Sequence, residues 1–77
     1  MDANLERATS ILTGDTRFHD LDVVRLTEDV RADGGLFPRG SCGTIVFVYG
    51  GARAYEVEFD APQADVVTVR EDQLAAG

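Results

Sequence analysis

The sequence contains no lysine and no tryptophan, a single cysteine and a single histidine. Each shortage closes off a kind of chemistry. Cys42 alone forms no intramolecular disulfide, whereas a small secreted domain generally relies on several. With no lysine and one histidine in the whole chain, the thiol lacks the cationic company that makes a cysteine reactive. It reads as a small residue tucked into the turn between Gly40 and Gly43. His19 and Cys42 together supply two soft ligands, too few for a zinc site. No metal and no cofactor is expected. No apolar run approaches the roughly eighteen residues of a spanning helix. The opening "MDANLERATSIL" carries acids and no apolar block, unlike a secretory signal. No membrane association and a cytoplasmic location are the expectations that follow.

Positive charge is also scarce. Fourteen acidic residues face seven basic ones, all arginine, for a net charge of −7. Nucleic-acid binding draws most of its affinity from phosphates neutralised by a basic face, and these arginines are scattered among acids. Direct nucleic-acid binding is therefore not expected. An acidic surface suits a basic protein partner, or mimicry of nucleic acid, and solubility alone would also account for it.

What is present reads as one small β domain with a helical extension, residues 1–20 and 21–77. In residues 2–13, Leu5, Ala8 and Leu12 recur at helical spacing beside Ile11, and Gly14 is a natural stop. "DTRFHD" is a polar connector. From Leu21 the period changes to two: Val24 and Leu26 share one face, Val23 and Arg25 the other. "TEDVRADGGLFPRGSCG" is dense in glycine and reads as a long loop, its apolar Val30, Leu36 and Phe37 folding back on the domain. "TIVFVY" (44–49) shows no alternation, so both faces of that strand should be covered. "GGA" signals a hairpin turn. "AYEVEF" alternates cleanly, Tyr55, Val57 and Phe59 inward and Glu56 and Glu58 outward. After "APQAD", "VVTV" forms a last strand, "REDQL" a helical turn with Leu74 returning to the core, and "AAG" a loose tail. Four or five short antiparallel strands with glycine corners predict a bent sheet that curls into a small barrel, hiding one face and shortening its edges.

Catalytic constellations are sparse. Ser41 or Cys42 with His19 is a conceivable nucleophile–base set, but these residues fall on separate loops, and a solvated histidine is the plainer reading. The acids of "TED" and "REDQ" lack the converging oxygens that calcium needs. Glu56 and Glu58 could form an acid pair, yet they sit on what reads as an exposed strand face. The glycines of "DGG", "RGSCG" and "YGG" precede no Gly-Lys-Ser/Thr and serve conformation. No catalytic residue is assigned, and no enzymatic activity is expected.

"DVVRLTEDV", "RGSCGTIVFVYGGARAYEVEF" and "VVTVREDQL", in that order, resemble a family of small bacterial SH3-like domains, domain of unknown function 4926, over residues 21–74. Two departures stand out: Phe47, where relatives commonly carry a charged residue, and the short "DAPQAD". The resemblance implies a small SH3-like barrel and no particular activity. More distantly the pattern is similar to SH3-like accessory subunits: the photosystem I docking subunit, the variable chain of ferredoxin-thioredoxin reductase and the β chain of nitrile hydratase. By that analogy the long first loop and the central hairpin would lie together as a protein-binding surface. Leu36, Phe37, Arg39, Tyr49 and Arg53 would be its aromatic and guanidinium anchors; alternatively, Phe37 and Tyr49 merely cap the barrel. The expected role is a non-catalytic module binding another protein, such as an enzyme or toxin that it restrains. The alternatives are an accessory subunit of a multi-subunit enzyme and an acidic nucleic-acid mimic of phage origin.

Overall fold

The computed structural model describes residues 17–77. The helix expected over residues 2–13 lies outside the described residues. Seven strands follow in order: β1 (Val23–Leu26), β2 (Val30–Ala32), β3 (Gly35–Phe37), β4 (Cys42–Val48), β5 (Ala54–Phe59), β6 (Asp65–Arg70) and β7 (Leu74–Ala76). One-turn 3-10 segments occupy Gly50–Ala52 and Glu71–Gln73. Five strands form one antiparallel sheet in the order β6-β5-β4-β1-β7, and β2 and β3 form a separate hairpin.

The alternating residues behave as their period dictates. Val24 and Leu26 of β1, Tyr55, Val57 and Phe59 of β5, and Val67 and Val69 of β6 all point into one apolar cluster. Ile45, Leu74, Val30, Phe37 and Phe18 complete it. Residues from both ends of the strand order meet in this single cluster, so the five-stranded sheet must bend strongly around it. Each large side chain fully buried here contributes about 1.5–3 kcal/mol relative to an exposed one. Phe37 lies against Phe59 with ring centroids 4.8 Å apart, and Phe18 meets Tyr55 edge-on at 5.7 Å.

Five expectations are corrected. The sheet does not close into a barrel, because β6 and β7 stand at opposite ends of the strand order and do not pair. The β2–β3 hairpin supplies the missing cover by turning Val30 and Phe37 into the core. The expected long loop therefore contains a hairpin of its own. The tail is not loose: Leu74–Ala76 pairs with β1, and the Gly77 N–H donates to the Val23 carbonyl at 3.0 Å. Cys42 is exposed at the start of β4 rather than tucked into the turn.

The fifth correction concerns "TIVFVY", whose faces are not both covered. Ile45 pairs with Val57, but Phe47 pairs with Glu56, so Val46 is the extra residue of a β-bulge. The bulge shifts the phase of the strand. Ile45 faces inward before it and Val48 packs inward after it, while Phe47 is carried to the outer side. The turn beyond β4 is tight, the Tyr49 N–H donating to the Ala54 carbonyl at 3.1 Å. Gly51 takes a φ of 84° there, which a side chain would strain.

Candidate functional surface

The five residues expected to form a binding surface are not brought together. Phe37 is fully buried, 0% exposed, and is a core residue. Leu36 is exposed on β3, and the Arg39 backbone N–H donates to the Asp29 carboxylate at 2.8 Å. Arg39 lines a shallow depression with Cys42, Asp60 and Pro62, beside the start of β4. Tyr49 and Arg53 lie past its other end, in the turn to β5. Seven strand residues separate the two groups, about 20 Å at roughly 3.3 Å per residue. The physical cause is β4, which runs between them. The turn of the β2–β3 hairpin is held by the Gln63 side-chain amide donating to the Gly34 carbonyl, which anchors the first loop to the β5–β6 connection.

What the sheet does assemble is its outer face. Cross-strand pairing sets Thr68, Glu56 and Phe47 in one row across β6, β5 and β4. The next row runs Val66, Glu58, Thr44 and Val23 across β6, β5, β4 and β1. Phe47 is 53% exposed, Val66 50% and Val23 56%. Tyr49 meets the Phe47 ring edge-on with centroids 5.0 Å apart. Its phenol donates to the Glu56 carboxylate, and the Thr68 hydroxyl donates to the same oxygen, Oε2, at 2.8 Å. Tyr49, packed on Phe47, is thus tied to Glu56 of the neighbouring β5, whose carboxylate is held in turn by Thr68 of β6. Of these residues only Tyr49 is anticipated as a contact by sequence. Phe47 is legible only as an unusual apolar residue, because the bulge that exposes it leaves no trace in the period of β4. The outward Glu56 and Glu58 of β5 were the available signal, since their neighbours on β4 must share their face.

The hydrogen bond to Glu56, and secondarily partial desolvation and the carboxylate's charge, raise the Tyr49 phenol above its ordinary value of 10.0. The Tyr55 phenol is raised as well, chiefly by burial. A raised phenol contributes stability that is intact below pH 10 and lost as pH climbs through the folded-state value. The chain has two tyrosines. Ultraviolet titration should therefore show both ionising above 10, and Glu56→Gln should bring one of them down toward the ordinary value while leaving the other in place. If both move, or neither does, the Tyr49–Glu56 bond is not what holds the phenol.

Other polar clusters serve structure. Buried Gln73 accepts the Arg70 backbone N–H at 2.9 Å and donates to the Glu28 carboxylate at 3.1 Å. Arg70 sits between the two acidic clusters, 3.1 Å from Asp72 and 3.9 Å from Glu28. "TED" and "REDQ" therefore meet across a guanidinium. His19 lies 3.8 Å from Asp22, and the Ser41 hydroxyl donates to the Pro38 carbonyl, so no nucleophile–base hydrogen bond joins them. Among the described residues no group of three or more His, Cys, Asp or Glu could hold a metal ion, and no helix is long and apolar enough to cross a membrane.

A family model described as Domain of unknown function (DUF4926) matches residues 20–76. The chain belongs to this family. No curated protein and no solved structure matches it. The DUF4926 match takes in every strand from β1 to β7, so the outer-face residues all lie within the family domain. Its C-terminal limit coincides with the end of β7, the segment expected from sequence to be loose.

Proposed function

We propose that this DUF4926 domain is a non-catalytic protein-binding module of SH3-like arrangement whose contact surface is the outer face of its sheet. The SH3-like reading is supported by the strand order, with β1 between β4 and the C-terminal β7, and by the 3-10 turn joining β6 to β7. The observation that carries the functional reading is the exposed, side-chain-locked pair Phe47 and Tyr49. Rigid aromatic side chains that cost little entropy to order are what protein interfaces favour as anchors. The face alternates apolar groups with Glu56 and Glu58, which supports a protein partner over nucleic-acid mimicry, where carboxylates would run unbroken. A photo-crosslinking phenylalanine analogue at position 47, expressed in the producing cells, should give a discrete protein adduct absent when the analogue replaces Leu36. No adduct at 47, or the same adducts at both positions, would remove the assignment.

A further inference from the structure

We infer that the occupant of this outer face is a basic amphipathic helix of a partner protein, an inference that rests on the binding-module reading above. The outer-face row with exposed Val66 of β6 at one end and Val23 of β1 at the other, Glu58 and Thr44 between them, spans three strand spacings or about 14 Å, the length of roughly ten helical residues. The carboxylates beside them have acceptor capacity to spare. Both donors to Glu56 fall on Oε2, so among the described residues none reaches Oε1, and Glu58 makes no side-chain hydrogen bond or ion pair there. A lysine or arginine stem lying on the Phe47 ring would carry its charge to Glu56, directly opposite on the neighbouring strand. Of the chain's own arginines, Arg70 is taken by Asp72 and Glu28, Arg25 lies a row away, opposite Cys42, and Arg31 borders the face at its β6 edge, in a depression with Val66 and Thr68.

Charge also disfavours the other occupants. A second copy would set one chain of net charge −7 against another, glutamate facing glutamate. Residues 1–16 carry Asp2, Glu6 and Asp15 against Arg7 and would bring a further negative charge to an acidic face.

The test is amide chemical-shift titration of the full chain with three synthetic helical peptides, one built of leucine and lysine, one of leucine and glutamine, one of leucine and glutamate. The lysine peptide should shift Val23, Phe47, Tyr49, Glu56, Glu58 and Val66 at the lowest concentration. Phe47→Ser, which leaves net charge unchanged, should weaken it at least about ten-fold, the loss expected of an interface anchor. Binding that ignores Phe47→Ser is diffuse attraction and overturns the inference. Equal or tighter binding of the glutamine peptide on these residues overturns the basic class while leaving the face as a binding surface. Shifts from no peptide at these residues overturn the helical occupant, and the crosslink at position 47 then decides separately whether the face binds protein at all.

Discussion

Phe37→Ala should lower the unfolding free energy by about 3–5 kcal/mol, the usual cost of emptying a buried phenylalanine site. Small domains have only modest stability to lose, at the low end of about 5–15 kcal/mol, so a large share of the variant should be unfolded at room temperature. The reason is specific to the hairpin. Phe37 is 0% exposed and its ring packs on Phe59, so truncation removes both the anchor of β3 and the cover over the end of β5. Urea unfolding followed by circular dichroism measures it. Leu36→Ala, one residue away on the exposed side of the same strand, should stay within about 0.5 kcal/mol of the parent. If the two variants unfold alike, Phe37 is not a core residue and its place in a contact surface reopens.

Gly43→Ala is the second large effect, expected to cost about 1–3 kcal/mol through overpacking. A β-carbon at Gly43 would stand 2.6 Å from a Val57 methyl, 2.8 Å from the Glu58 carbonyl oxygen and 3.0 Å from the Phe59 ring. The methyl can turn aside. The carbonyl belongs to the β5 backbone opposite, and moving it disturbs the β4–β5 pairing just where Gly43 meets Phe59. Gly50→Ala supplies the contrast, since nothing lies within 4 Å of its added carbon and its φ is unexceptional, and it should be near neutral. Equal midpoints for the two alanines in urea would show that the strands have room to part.

These variants also mark how far the residues could be read without coordinates. "AYEVEF" was legible because a two-residue period on a half-buried strand assigns each side chain to a face. "DVVRL" was legible for the same reason, and "VVTV" as a β-branched strand with no face assigned. The β2–β3 hairpin and β7 were not, because strands of three residues gain too little locally to announce themselves and exist only through the partners they find. Nor was the placing of the hairpin turn legible, since it depends on the contact between the Gln63 amide and the Gly34 carbonyl.

Composition and period alone determined a small, acidic, mainly β chain and its inward residues on β1 and β5, while the order of its motifs carried the resemblance to its family. Tertiary structure alone decided that the sheet stays open, that Phe37 is interior and that Phe47 is not. A side chain's face follows from local alternation, but one bulged residue reverses that alternation for everything after it. Whether a bulge forms is settled by the strand alongside, here by Val57 and Glu56 of β5, and no local pattern in β4 encodes it.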